Sequence, residues 1–162
     1  MSILQWNCRG IRSNSEELKV LINETEASVI CLQETKLGFE NFNPGIKYAF
    51  HKSPPVVGER AKGGTGIIIH KSLRFNIISL NTVLQACAVH VFFEKAITLC
   101  SIYLEPNLEN HLVDETGNRR QLILQDLQEL ADQLPKPFIL MGDFNAKNPL
   151  WGEQYCDRWV EL

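Results

Sequence analysis

Four short segments place chemically capable side chains just after apolar runs. Asn7 follows Leu4-Gln5-Trp6 and Glu34 follows Val29–Gln33. Tyr103 lies within Cys100–Leu104, and Asp143 and Asn145 follow Phe138–Met141. One acid at the end of an apolar run is common; two such runs ending in acids, with an Asn after a third, form a more specific pattern. Cleaving a phosphodiester needs a nucleophilic water, neutralisation of the phosphoryl oxygens and help for the leaving oxygen, and a hard cation supplies the last two. Mg2+, or Mn2+ in its place, prefers oxygen ligands and keeps several waters, so one or two carboxylates suffice. Glu34 fits as the direct ligand, with Asn7 beside it orienting a metal-bound water. Asp143 can align the attacking water or accept its proton. Asn145 and the Tyr103 hydroxyl can donate to a phosphoryl oxygen as charge builds there.

Each residue also has a plainer reading. Glu34 can be a solvated carboxylate, and Asn7 can cap the turn into Arg9-Gly10. Gly142-Asp143-Phe144-Asn145 can be a turn, and a strand Tyr is most often packing. Trp6 and Trp151 read as core or loop anchors, and His70 and His90 as structural. Arg9, Lys36, Arg60 and Lys62 can meet nucleic-acid phosphates, although a solvated surface suits each taken singly. Gly63-Gly64-Thr65-Gly66 precedes a strand and lacks the Gly-Lys-Ser/Thr ending of a phosphate loop, so a tight turn is expected.

The elements that must position these residues follow from periodicity. Ile3–Asn7 reads as a strand. Ser13 to Glu16 has the S-x-x-E form of a capping box, opening a helix to about Glu24 on Leu18, Leu21 and Ile22. Ser28–Gln33 is a buried strand, completing a β-α-β opening. A loop over 35–47, a strand at Tyr48–His51 and a loop over 52–64 come next. Four strands follow, near Thr65–His70, Phe75–Leu80, Leu84–Glu94 and Ile97–Leu104. Their short connections favour antiparallel pairing between neighbours. After a loop over 105–117, a helix is expected from about Asn118 to Gln133, with Ile123, Leu127, Leu130 and Leu134 on one face. Pro135 and Pro137 end it, and the Phe138–Met141 strand and a short helix at Arg158–Leu162 follow. This order is met by sheets carrying helices on their outer faces.

The 162 residues are 44% hydrophobic and 22% charged, the balance of a globular chain of single-domain size. A net charge of −3 and a pI near 5.8 do not advertise a polyanionic partner, although a local basic patch can coexist with metal-binding acids. Five scattered cysteines without a C-x-x-C pair read as buried free thiols, which suits a reducing, intracellular compartment. Neither a signal peptide nor a membrane-spanning run is expected.

Gln5-Trp6-Asn7-Cys8-Arg9-Gly10, Gln33-Glu34-Thr35, Ser101-Ile102-Tyr103 and Gly142-Asp143-Phe144-Asn145-Ala146 match, in order, the motifs of the endonuclease/exonuclease/phosphatase superfamily. Trp6–Gly10 and Gly142–Gly152 resemble in particular the N-terminal endonuclease domain of non-LTR retrotransposon (jockey-like) polyproteins. The likeness spans nearly the whole chain. It implies an α/β fold, the four-layer α/β/β/α sandwich of the deoxyribonuclease type. It also implies Glu34 with Asn7 at a Mg2+ ion, Tyr103 at the scissile phosphate, and Asp143 and Asn145 positioning the water. The implied partners are a target DNA duplex and a downstream polymerase domain, and the implied compartment is the nucleus.

Three departures stand out. Tyr103-Leu104-Glu105-Pro106 replaces the usual Tyr-x-Pro-Pro, and Lys147 stands where His is frequent. The family pattern adds a further acid and a Ser-Asp-His after Gly-Asp-Phe-Asn, whereas His51, His70, His90 and His111 all precede Asp143. Residues 1–162 are therefore expected to form one incomplete domain lacking its C-terminal strands, with poor solubility and little nicking. Two other readings stay open: a non-catalytic remnant that binds a cation or nucleic acid weakly, and a phosphatase of the same superfamily.

Overall fold

A computed structural model of the chain describes residues 2–55, 62–106 and 119–146, without the side chains of 119–123. Outside this range lie residues 107–117 of the expected loop over 105–117, the expected helix at Arg158–Leu162, the side chain of Ile123, and Arg60, His111, Lys147, Trp151 and Cys156.

The elements run β1 (Ile3–Asn7), α1 (Ser15–Thr25), β2 (Val29–Gln33), β3 (Tyr48–Lys52), β4 (Thr65–His70), β5 (Arg74–Ile78), β6 (Gln85–Phe92), β7 (Ala96–Tyr103), α2 (Arg119–Asp132) and β8 (Phe138–Asp143). They form two four-stranded sheets, ordered β1-β2-β4-β3 and β5-β6-β7-β8. The β-α-β opening is present, since β1 and β2 pair in parallel across α1. A second such unit joins β7 and β8 in parallel across α2.

Side-chain alternation sorts the interior into three layers. Even-numbered residues of the first sheet, among them Leu4, Trp6, Ile30, Leu32 and Ile68, pack with Leu18 and Ile22 of α1. Even-numbered residues of the second sheet, among them Ala86, Ala88, Cys100, Ile102 and Leu140, pack with Leu127, Leu130 and Leu134. Odd-numbered residues of both sheets meet between them: Val29, Cys31, Ile67 and Ile69 face Cys87, Val89, Val91, Leu99 and Met141. This period of two builds the expected α/β/β/α layering. Trp6 lies in the first layer, as expected of a core anchor.

Three local expectations are corrected. Helix α1 starts at Ser15, and its N-cap Asn14 makes no side-chain capping bond. Asn14 instead donates its amide to the Cys8 carbonyl at 2.6 Å, so Ser13 and Glu16 do not form a capping box. Successive strands β4 and β5 are not neighbours but belong to different sheets. The reason is that β4 already pairs on both edges, with β2 and with β3, which leaves β5 no free edge. Finally, β8 does not stop at Met141 but continues through Asp143, pairing Ile102 with Gly142 and Tyr103 with Asp143.

Cys8, Cys31, Cys87 and Cys100 are free and buried, as expected. Burial pushes the Cys8 thiol up to about 11 and those of Cys87 and Cys100 to about 12, so all three stay protonated at neutral pH. No helix among the described residues is long and apolar enough to cross a membrane.

Gly142 of β8 lies against Ile102 of β7. A Cβ there would lie 1.9 Å from the Ile102 carbonyl oxygen and 2.7 Å from its Cγ2. Gly142→Ala must push the strands apart, with an expected loss of about 3 kcal/mol and a clear fall in the urea midpoint. An unchanged midpoint would show that β8 has slack at this position.

Candidate active site

The polar residues singled out in the sequence emerge together at one end of the inter-sheet layer. Asn7, Tyr103 and Asp143 are each the last residue of a strand, and Glu34 directly follows one. Asn7, Tyr103 and Asp143 share the odd-numbered, inward-facing register, so the apolar interface between the sheets ends in a polar rim. Asn145, two residues beyond β8, completes the group.

Asn7 is the hub. Its Nδ2 donates to Glu34 Oε1 at 2.9 Å and to Asp143 Oδ2 at 2.8 Å, and its Oδ1 accepts the Arg9 backbone N–H at 3.2 Å. These partners fix the orientation of the amide: two acceptors require the NH2 group and one donor requires the oxygen. One side chain from the first sheet thus ties a carboxylate beside it to a carboxylate on the second sheet. The turn-capping reading of Asn7 and the functional one are both satisfied.

Glu34 is held by its backbone. The chain stays paired beyond β2 on both sides, with Gly10 and Ile11 donating to the carbonyls of Glu34 and Thr35 at 2.7 and 3.1 Å. Thr35 and Lys36 donate to the carbonyls of Gly64 and Gly63 at 3.1 and 2.8 Å. Within this strap Glu34 and Lys36 both have φ of +51, and Arg9 and Asn145 are left-handed too, at +47 and +46. Such conformations cost roughly 1–3 kcal/mol apiece for ordinary residues and persist where surrounding bonds over-determine them. Here they aim the side chains of 34 and 36 to one side, where Lys36 Nζ lies 3.4 Å from Glu34 Oε2.

On the second sheet, Asp143 Oδ1 accepts the Asn145 backbone N–H at 3.0 Å, closing an Asx turn. Asn145 Nδ2 donates to the Leu104 carbonyl at 2.7 Å. The Gly-Asp-Phe-Asn segment is therefore a strand end and turn as well as part of the site. Tyr103 is buried, and its phenol is pushed up to about 12 by burial first, then by the negative charges of Glu34, Asp143 and Glu105, against an opposing hydrogen bond from Asn145. At neutral pH it is a protonated donor. Gly63 abuts this ring: a Cβ there would lie 2.9 Å from Tyr103 Cδ1, and its φ is +61. That close approach is what the Gly63-Gly64 turn provides.

Glu105, a departure noted in the sequence, lies at this edge. Gln85 Nε2 donates to its Oε1 at 2.6 Å, while Gln85 Oε1 accepts the Gly64 backbone N–H. Glu34, Asp143 and Glu105 bring negative charge to this edge. Lys36 is ion-paired to Glu34, and neither Asp143 nor Glu105 has an ion pair among the described residues. Sequence reasoning gave no role to Gln33, Ser101 and Gln85, whose signal was a single polar residue closing, inside or opening an apolar strand.

No cluster of three His, Cys, Asp or Glu side chains close enough to cage a metal occurs among the described residues. Two carboxylates joined by an amide instead form a sparse all-oxygen donor set. That set fits a hard cation keeping most of its own waters, such as Mg2+ or Mn2+, and does not fit a soft or fully caged one.

Strand ends from both sheets thus bring Asn, Glu, Tyr and Asp side chains to one rim of an α/β sandwich. Residues 4–159 match the endonuclease/exonuclease/phosphatase family, and the chain belongs to it. It is 30% identical over 162 residues to the RNA-directed DNA polymerase from mobile element jockey of Drosophila melanogaster, and 25% identical to the probable RNA-directed DNA polymerase from transposon X-element of the same fly. These matches cover 94% of this chain but only 16% of those proteins. Among solved structures, the endonuclease domain of TRAS1, a telomere-specific non-LTR retrotransposon, superposes with a TM-score of 0.69 at 20% identity, over 97% of this chain and 66% of that one. The AP endonuclease LMAP from Leishmania major gives 0.68 at 19% identity, over 94% of this chain and 57% of that one. The fold expectation is thereby met, as is the resemblance to retrotransposon endonucleases.

The phenol supplies a direct check on the site's charge. Its contribution to stability is complete below pH 10 and is lost as pH rises through about 12. In NMR of 13Cζ-labelled tyrosine, Tyr103 should remain protonated at pH values where a free phenol is half ionised, and Glu34→Gln should lower its midpoint. A Tyr103 that titrates like a free phenol would contradict its burial, and a midpoint unmoved in Glu34→Gln would contradict the influence of the neighbouring carboxylate.

Proposed function

We propose that this domain hydrolyses phosphodiesters of duplex DNA with a bound divalent cation, acting as a nicking endonuclease. The observation that carries the reading is the joining of Glu34 and Asp143 through Asn7, two acids from different sheets meeting at one point with little positive charge to balance them. Membership of the nuclease-containing family supports hydrolysis of phosphoesters, and the retrotransposon relatives support DNA as the substrate. A nuclear site of action and a polymerase domain joined in the same polyprotein follow as parts of the same proposal.

In this reading Glu34 holds the cation and Asn7 fixes where its carboxylate points. Mg2+ or Mn2+, when bound, supplies neutralisation of the phosphoryl and leaving oxygens. The remaining steps belong to this chain's own groups. Asp143, oriented by Asn7 and by the Asn145 N–H, aligns a water and takes up its proton. Tyr103, protonated far above neutral pH, donates its hydroxyl to a phosphoryl oxygen. Asn145 braces the junction with Leu104 and presents its amide near the same oxygen. Lys36 neutralises part of the Glu34 charge, which weakens cation binding but favours approach of a phosphate.

A supercoiled-plasmid assay tests the proposal: any relaxation should require Mg2+, stop with a chelator and disappear in Glu34→Gln and Asp143→Asn. Nicking that survives Glu34→Gln would overturn the metal assignment. Release of phosphate from a small monoester without plasmid nicking would favour the phosphatase reading. Cation binding with no hydrolysis of either would favour the remnant.

A further inference from the structure

One interaction lies directly beneath the site and takes no part in the chemistry above. Gln33, the last residue of β2, and Ser101 of β7 are both fully buried at 0% exposure. They occupy the inward, odd-numbered register among apolar neighbours such as Cys31, Leu99 and Met141, yet all their polar atoms are engaged. Gln33 Nε2 donates to Ser101 Oγ at 2.9 Å, and Ser101 Oγ donates to the Leu32 carbonyl at 2.8 Å. Gln33 Oε1 accepts from Gln5 Nε2, and the Gln33 carbonyl accepts the Cys8 N–H at 2.9 Å.

Position gives the pair its meaning. Gln33 is the strand partner of Asn7 and precedes Glu34 in the chain. Ser101 pairs with Met141, two residues before the Tyr103–Asp143 pair. The bond therefore crosses from sheet to sheet one step below the point where Asn7 must reach both carboxylates. Apolar contacts alone set the slide of one sheet over the other loosely, because dispersion has little directionality. A buried amide does so sharply: a shift of one residue, roughly 3.3 Å, would leave it unpaired, at a penalty larger than the bond's own worth.

We propose that Gln33 and Ser101 are positioning residues, a buried polar clamp that locks the two sheets in the offset at which Asn7 contacts Glu34 and Asp143 together. Neither touches the reacting atoms. Only the metal-affinity part of this inference rests on the proposed function; the geometric part stands on the hydrogen bonds alone.

The test separates positioning from simple stabilisation. Replacing both partners by apolar residues, Gln33→Met with Ser101→Ala, removes the clamp without leaving its amide buried and unpaired, so the urea midpoint should stay near that of the unaltered chain. Hydrogen exchange of the Asn7 side-chain amide, read by NMR without metal, should nevertheless accelerate about tenfold, and the Mn2+ dissociation constant, read by electron paramagnetic resonance, should rise about tenfold. Ser101→Thr keeps the hydroxyl and should hold both values within about twofold. If the double variant does not fold, Gln33→Met alone gives the same readings, because the Ser101 hydroxyl keeps the Leu32 carbonyl as its acceptor. Unchanged Asn7 exchange in a folded variant lacking the clamp would overturn the proposal and leave the pair a purely structural role. If the unaltered chain binds no Mn2+, the metal reading falls, while Asn7 exchange still decides the positioning role.

Discussion

The architecture of this protein converges on one side-chain amide. Asn7 has two N–H bonds to give, and it gives them to carboxylates on opposite sheets, at 2.9 and 2.8 Å. Two carboxylates held at one point repel each other. The amide offsets part of that repulsion, and in the proposed function a bound cation offsets the rest. An Asp at this position would have added a third charge and removed the donor. A Ser would have been too short to reach both acids. Strand β1, its parallel pairing with β2 and the packing of β1 against β8 all serve to bring this amide to that point.

Holding it there requires backbone that an unstrained fold would not adopt. Arg9, Glu34, Lys36 and Asn145 are four of the five left-handed non-glycine residues among those described, and all four border the site; the fifth, Glu26, caps α1. The strap of residues 34–36 tolerates this because it is paired on one side with Gly10 and Ile11 and on the other with Gly63 and Gly64. Gly63 in turn must lack a Cβ to pass Gln85 and Tyr103. Stability, chain reversal and site geometry are thus coupled in a few residues, and substitutions among them should affect all three together.

Most of the strands could be read from the sequence because hydrophobic runs bounded by Gly, Pro and polar residues carry strong local signals. Thr65–His70 is one such run, and the two helices were legible from their spacing. The pairing was harder. Both faces of each sheet are covered, one by a helix and one by the other sheet, so both faces are apolar and alternation says little about which is which. All five residues of Val29–Gln33 are buried, and nothing local assigns Gln33 to the inter-sheet side. Its partner Ser101 is 68 positions away, beyond any pattern in a single chain. Assigning β4 and β5 as neighbours failed for a related reason: loop length favours pairing, but β4 has no edge to offer. The ends of the strands were more informative, because a polar group there must meet solvent, a partner or a ligand.

In the proposed function Glu34 and Asp143 act as one site through Asn7, although 109 positions separate them in the chain. Titration of the 13C-carboxyl-labelled chain with Mg2+, followed by NMR, tests this most directly. Both carboxyl resonances should move along a single binding isotherm, and in Asn7→Ala the affinity should fall about tenfold or more as the two responses separate. Movement of Glu34 alone, or of neither residue, would contradict a shared site.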